Sequence, residues 1–320
     1  MSGIPVSVET CANCGKVSGN AVKLKNCMAC RLVKYCSVDC QKAHRKQHKK
    51  ACKRRVAELK DEQLYSQGHE RSEDAFCPLC TLPIALPMNE NSGFNECCTK
   101  RVCYGCVLAA QKSGMFDTCP FCRAKMARDD ASALDMARVR AEKKDPAAIE
   151  FLGSKYYYGT YGVKKNVPRA IELLTEAAEL GSIDAHAKLG QAYLYGMGVA
   201  PDNAKGVHHF ELAAMKGSVE SRHNLGCYEA QKGNYERAVR HWLISAKMGN
   251  NASLDNVKDM LKGGVATKEQ YAEALKGYQD SVEETKSPGR DEAKQVFRVR
   301  DECKTTYGAS VGFAPAGQTG

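Results

Sequence analysis

Cysteine placement constrains this chain more than any other feature. Fifteen of its 17 cysteines lie between Cys11 and Cys122, and only Cys227 and Cys303 lie outside that stretch. Most come in C-x-x-C pairs, which put two thiolates on one tight turn, within reach of a single ion. The N-terminus carries no basic start followed by an apolar stretch, so it does not read as a secretory leader. No run of 18 or more apolar residues suggests a transmembrane helix. Both points lead to a reducing compartment, cytoplasm or nucleus, where clustered cysteines indicate metal rather than disulfides.

The first block offers Cys11, Cys14, Cys27, Cys30, Cys36, Cys40, His48 and Cys52. Eight ligands suffice for two tetrahedral zinc sites. A helix over Gln41–Leu59 would align Cys40, His44, His48 and Cys52 in one stripe. Spacing does not decide between sequential and crossed pairing. The motifs Cys11-Ala-Asn-Cys14, Cys27-Met-Ala-Cys30, Tyr35-Cys36-Ser-Val-Asp-Cys40 and His48-Lys-Lys-Ala-Cys52 closely resemble a MYND zinc finger. The resemblance implies a crossed order: Cys11, Cys14, Cys36 and Cys40 on one ion, and Cys27, Cys30, His48 and Cys52 on the other. His44 is then spare and expected to be exposed. MYND fingers that grip proline-rich peptides usually carry Trp just after the His44 position. Gln41 is kept here, but Arg45 replaces that Trp, which weakens the expectation of a proline-motif groove.

Charge is concentrated in the same block. Residues 1–60 hold 14 Lys/Arg against 3 Asp/Glu, within a chain of net charge +10. The run His44–Arg55 is basic enough for nucleic acid or nuclear import. A solvated helix face is the favoured reading, because two of its residues face metal and no aromatics interleave the charges for base stacking.

The second block offers Cys77, Cys80, Cys97, Cys98, Cys103, Cys106, Cys119 and Cys122. Its segments CPLC, CCTKRVCYGC and CPFCRAK resemble an all-cysteine RING finger of the kind found in ubiquitin ligases. That resemblance implies Cys77, Cys80, Cys103 and Cys106 on one ion, and Cys97, Cys98, Cys119 and Cys122 on the other. Most RING fingers carry a histidine where Lys100 stands, and lysine is a poor ligand because its amine is protonated near neutral pH. Cys97 is the substitute, and its adjacency to Cys98 leaves open a one-ion module with one of the two free. The positions that contact a ubiquitin-conjugating enzyme in the family correspond to Leu79, Pro120 and Arg123. The Trp that many active RING fingers carry is Ala110 here, leaving a shallower groove or a place for Met115 and Phe116.

Residues 145–250 repeat at about 36 residues. Leu152-Gly153 returns as Leu189-Gly190 and Leu225-Gly226, and Gly181 returns as Gly217 and Gly249. Each unit fits two helices around a glycine turn, with stacking needed to bury a core. The pattern resembles the Sel-one-like repeat, a relative of the tetratricopeptide repeat, which implies a protein-binding scaffold. The third unit has a shorter turn at Gln231–Asn234. Tyr156–Tyr158 and Trp242 read mainly as core aromatics, and Cys227 as a buried small residue.

The expected fold is multidomain: two small cross-braced zinc modules, α+β and loop-rich, followed by an all-α helical-repeat solenoid. The expected boundaries are 11–52 for the MYND finger, 53–72 for a helical linker and 73–126 for the RING-like finger. A linker helix follows at 127–144, then repeats at 145–250, capping helices at 251–305 and a disordered tail at 306–320. Four zinc ions are expected, each with four protein ligands and therefore structural. No nucleophile–base constellation, phosphate loop or open metal position is visible, so no catalytic residue is assigned. The expected partners are other proteins, including a ubiquitin-conjugating enzyme if the RING resemblance extends to activity. A non-enzymatic scaffold or transcription-related adaptor is the alternative, and nucleic acid the less favoured partner.

Overall fold

The computed structural model describes residues 9–19 and 21–307, with side chains as far as residue 297. The chain divides between Gln67 and Gly68 into two compact units.

In the first unit, β1 (Lys25–Asn26) pairs antiparallel with β2 (Lys34–Tyr35), Lys25 opposite Tyr35. Helix α1 follows over Val38–Ser66. The Ser37 hydroxyl caps it by accepting from the Cys40 amide at 3.2 Å, and Asp39 sits favourably in its first turn. The helix outruns the expected Gln41–Leu59 at both ends. Residues 53–66 contain no glycine or proline, so nothing breaks it before Gly68, which adopts a φ of +67°. Most of the expected linker is thus a continuation of the zinc-finger helix. The buried core of this unit is Cys11, Cys27, Cys30 and Tyr35. Three of those four residues are thiols, so there is little apolar core without a metal.

The second unit opens with the cysteine-rich module. Helix α2 (Met88–Asn91) leads into β3 (Ser92–Asn95), which pairs antiparallel with β4 (Lys100–Cys103) in the register Ser92 to Cys103. Helix α3 (Tyr104–Lys112) follows. Ile84 and Val102 are buried here together with Cys77 and Cys103. Helix α4 (Asp130–Glu142) starts at a capping box made by Asp129 and Ser132.

Six helices then form three hairpins: α5 (Pro146–Tyr158) with α6 (Val167–Glu179), α7 (Ile183–Tyr195) with α8 (Asn203–Met215), and α9 (Val219–Gln231) with α10 (Tyr235–Lys247). The side chains of Asp145, Asn166, Ser182, Asp202 and Ser218 cap the first five. The third hairpin turns in Lys232–Asn234, and Asn234 makes no side-chain cap bond.

The repeated Leu-Gly has a packing reason. A Cβ on Gly190 would lie 2.6 Å from the Phe210 ring, and one on Gly226 would lie 2.5 Å from Trp242 Nε1. Each glycine lets the first helix of a hairpin approach a large side chain on the second. Trp242 is core, 4% exposed, whereas Tyr158 is 60% exposed, so the expected core role holds for the first and not the second. Cys227 is only half-buried, its Sγ 3.4 Å from His223 Nε2.

Helices α11 (Asn251–Lys262) and α12 (Lys268–Glu283) close the stack against α10, sharing a core of Trp242, Leu254, Val257 and Ala274. Helix α13 (Pro288–Tyr307), expected among the capping helices, instead packs on α3. Gly105 permits this, since a Cβ there would meet the Arg290 backbone at 2.9 Å, and the Tyr104 and Phe297 rings lie 5.0 Å apart. Residues 308–320 of the expected tail lie outside the described residues. No helix among the described residues is long and apolar enough to cross a membrane.

Candidate metal centres

Four groups of ligand atoms converge. They are Cys11, Cys14, Cys36 and Cys40; Cys27, Cys30, His48 and Cys52; Cys77, Cys80, Cys103 and Cys106; and Cys97, Cys98, Cys119 and Cys122. Within each group all four atoms lie within 4.8 Å of one another. The segments are brought together in crossed order in both modules. Helix α1 serves both sites of the first: Cys40 turns to one, His48 and Cys52 to the other.

The spacing within the groups suits zinc. A tetrahedral ion with Zn–S near 2.3 Å places its sulfurs about 3.8 Å apart. The Sγ separations are 3.5 Å for Cys14–Cys36, 3.6 Å for Cys36–Cys40, 3.9 Å for Cys27–Cys52, 3.8 Å for Cys80–Cys103, 3.8 Å for Cys98–Cys119 and 3.4 Å for Cys97–Cys122. Cys30 Sγ and His48 Nε2 are 3.2 Å apart. All are far too long for disulfides, whose S–S bond is about 2.05 Å. The groups are geometrically consistent with four structural Zn2+ sites, each filled by protein ligands and without an open position.

The electrostatics of the thiols also favour a cation. Cys77 is held down at about 4, chiefly by the hydrogen bond from the Cys103 thiol, and Cys103 is pushed up by the same bond. Cys106 is pushed up to about 12 by burial and the nearby Cys77. Cys36 is pushed up to about 12 by its bonds to Cys14 and Cys40. One thiolate in a group therefore suppresses ionisation of its neighbours. A dication lets all four ligands be thiolates together.

A backbone feature marks the knuckles. The residue after the second cysteine is left-handed in five places: Gly15, Arg31, Thr81, Thr99 and Arg123, with φ between 57° and 73°. Four of these turns close with an amide-to-carbonyl bond onto the first cysteine, as in Thr81 N to Cys77 O at 2.8 Å. The Thr99 turn closes onto Asn95 O at 2.7 Å instead. Cys98 thus occupies the second position of a knuckle whose first position is Asn95, and Cys97 reaches in from the loop of the turn. A β-branched residue is costly in the left-handed region. Thr81 and Thr99 each satisfy a hydroxyl there, donating to the preceding carbonyl at 2.7 Å.

His44 departs from expectation. It is half-buried rather than exposed, its Nδ1 lies 3.1 Å from the Tyr35 hydroxyl, and its ring stacks on His48 at 5.8 Å. It packs its ring against the ligand histidine and is itself held by Tyr35. Arg45 is exposed and Gln41 half-buried.

Leu79 is 41% exposed, and Arg123 is exposed with its Nη1 against the Met115 sulfur. Pro120 is buried. Ala110 is 7% exposed while Phe116 is 69% exposed, so Phe116 does not fill a place beside Ala110.

Two sets of supports carry no signal in the sequence. Arg290, at the start of α13, donates to Leu82 O at 3.1 Å, to Thr285 O at 2.8 Å and to Pro83 O, and its Nη2 lies 3.4 Å from Cys80 Sγ. At the other end of the helical stack, Arg140 donates to Cys97 O at 3.2 Å and to Asp145 at 2.8 Å. Thr99 Oγ1 also lies 2.9 Å from Asp145 Oδ2. The Phe94 and Phe151 rings stack at 5.2 Å. The cysteine-rich module is therefore held by α4 and α5 on one side and by α13 on the other.

Comparison with known proteins agrees with this architecture. The MYND finger model matches residues 11–52, and the Sel1 repeat model matches 146–182, 183–218 and 219–250. The chain is 35% identical over 114 residues to DAP3-binding cell death enhancer 1 of Rattus norvegicus, covering 34% of this chain and 22% of that protein. It is 23% identical over 189 residues to chitin synthase regulatory factor 4 of Schizosaccharomyces pombe (strain 972 / ATCC 24843), covering 58% and 28%. The chain thus spans about a quarter of the length of these relatives. Among solved structures, a Sel1 repeat protein from Oxalobacter formigenes aligns with TM-score 0.44 and 21% identity, covering 62% of this chain and 86% of the other. The c5321 protective antigen of uropathogenic Escherichia coli, of SLR fold, aligns with TM-score 0.40 and 20% identity, covering 60% and 47%. The chain carries a MYND zinc finger, a second cysteine-rich module consistent with a RING-like finger, and a Sel1 repeat region.

Proposed function

We propose that this chain is a zinc-organised adaptor whose RING-like module docks a ubiquitin-conjugating enzyme, with the Sel1 repeats presenting the substrate. The coarser part rests on the architecture: structural zinc modules and a repeat stack, the make-up of an adaptor or scaffold. The finer part is carried by one observation. Leu79 and Arg123, which correspond to family contact positions, are both exposed at the tips of zinc knuckles. Pro120 is buried, and in this reading it shapes the last knuckle rather than forming a contact.

A RING-type ligase has no nucleophile of its own. It accelerates transfer by holding the thioester of its partner in one reactive pose, an orientational and entropic gain. Arg123 fits a bridging role because a guanidinium donates several bonds in a fixed fork. Helix α13 covers the side of α3 that bears Tyr104 and Gly105, whereas Ala110 points away from it at helical spacing. The Ala110 side of α3 is thus not the one α13 takes, and Ala110 itself is buried. The names of both relatives describe proteins that bind or regulate another protein, which suits an adaptor.

The test is autoubiquitination by zinc-loaded protein with a panel of conjugating enzymes. Chains are expected with at least one enzyme, and Arg123→Ala is expected to abolish them at unchanged zinc content. Absence of chains with every enzyme leaves the non-enzymatic adaptor reading. Retained activity in Arg123→Ala contradicts the bridging role.

A further inference from the structure

Helix α1 carries a second surface that the zinc sites do not use. At 3.6 residues per turn, Cys40, His44, His48 and Cys52 share one face. Lys42, Lys46, Lys49 and Lys53 fall on the opposite face, flanked by Arg45 and Lys50. All six cations are exposed, and none forms an ion pair with a carboxylate among the described residues. The acids of this helix sit outside the array, at Asp39 and from Glu58 onward. The zinc ligands fix the helix, so the cations are held on a rigid rod rather than on a mobile tail.

We propose that this face of α1 binds duplex DNA through its phosphate backbone, without reading sequence. Charge complementarity carries the proposal. From Lys42 to Lys53 the helix rises about 17 Å. A DNA duplex presents about ten phosphates over that length, at one charge per ~1.7 Å. No Phe, Tyr, Trp, Leu, Ile or Val lies between Lys42 and Arg55, and the two histidine rings face the zinc side of the helix. An acidic peptide would lack the apolar anchor on which protein interfaces usually depend, and a single strand would lack a stacking platform. The major groove of B-DNA is about 12 Å wide and admits an α-helix, while that of A-form RNA is too deep and narrow. Five of the six cations are lysines, point charges suited to phosphates, so binding is carried by the backbone and is salt-dependent.

The experiment is fluorescence anisotropy of a labelled 20-base-pair DNA duplex against the full, zinc-loaded chain across a salt series. Five to six phosphate contacts predict a slope of log K against log salt of about −4.5 to −5.5. Replacing Lys42, Lys46, Lys49 and Lys53 together by Gln should shallow the slope by about 3.6 and weaken binding at least tenfold near 0.1 M salt. Zinc content measured on the same sample establishes that the finger is intact. If that variant loses zinc, Arg45→Gln with Lys50→Gln is the replacement, with an expected change of about 1.8 in slope. A wild-type slope shallower than about −2, or variants that bind like wild type, overturns the proposal. Equal competition by poly-glutamate, preference for duplex RNA, or binding confined to anionic vesicles also overturns it.

Discussion

Stripping zinc from the native chain with a strong chelator is expected to unfold residues 9–66 while the helices α5–α10 stay folded. The reason is the composition of the two cores. In the first unit the buried cluster is Cys11, Cys27, Cys30 and Tyr35, so the ligands themselves make up most of it. The strands there are two residues long. A domain of this size holds about 3–9 kcal/mol of stability, and a structural zinc ion supplies ~10–16 kcal/mol in zinc-finger peptides. Loss of two ions therefore exceeds anything the remaining contacts retain. The repeat core of Leu134, Ile149, Leu152, Leu174 and Leu189 contains no thiol and has no such dependence. Limited proteolysis of the full chain, read by mass spectrometry, checks this. New cleavage throughout 9–66 is expected, with 146–250 still protected. Unchanged protection of the first unit after complete metal removal would contradict the account.

Arg290→Ala is the substitution with the largest expected effect away from the ligands. Its guanidinium is buried and donates to three carbonyls, those of Leu82, Pro83 and Thr285, beside the Cys80 sulfur. Truncation removes that donor from the carbonyls of Pro83 and Thr285, while Leu82 O keeps the Cys77 amide at 3.0 Å, at a cost of roughly 1–3 kcal/mol for each acceptor left unpaired. Lysine cannot replace the fork, so Arg290→Lys should recover only part of the loss. Two readouts follow. Hydrogen exchange should rise in 288–297 and in 80–84. One of the four zinc ions should pass to a colorimetric chelator faster than in wild type, because the Cys80 knuckle loses its brace. Exchange confined to α13, with zinc release unchanged, would show that Arg290 holds the helix and not the metal site.

What could be read in advance follows from how local each signal is. Ligand pairs are local: Cys11 with Cys14, or Cys119 with Cys122, are written as C-x-x-C in the chain. The repeated Leu-Gly is local in the same sense, because each hairpin needs one close approach and pays for it with one glycine. The left-handed knuckle residues are only partly legible. Gly15 announces its conformation, whereas Arg31, Thr81, Thr99 and Arg123 do not, since the turn is imposed on them by convergence of the ligands. Recognition of Asn95 as the first position of the Thr99 knuckle needs its carbonyl geometry, which no residue pattern encodes. Arg290 lies 210 residues from Cys80, and nothing near either residue points to the other. His44 reads as spare in the sequence because its partner, the Tyr35 hydroxyl, approaches from a strand rather than from the helix. The full length of α1 is hard to read because the charged segment after Cys52 resembles a linker in composition, although it is a good helix former without a stop signal.

Sixteen residues in two crossed modules are placed to hold four ions. Native mass spectrometry of the intact chain measures this directly. The geometry predicts four zinc ions per chain, falling to three in a variant carrying Cys97→Ser and Cys98→Ser, with the other three retained. A wild-type count of three, or a double variant that still holds four, would contradict the assignment of Cys97 and Cys98 to a common ion.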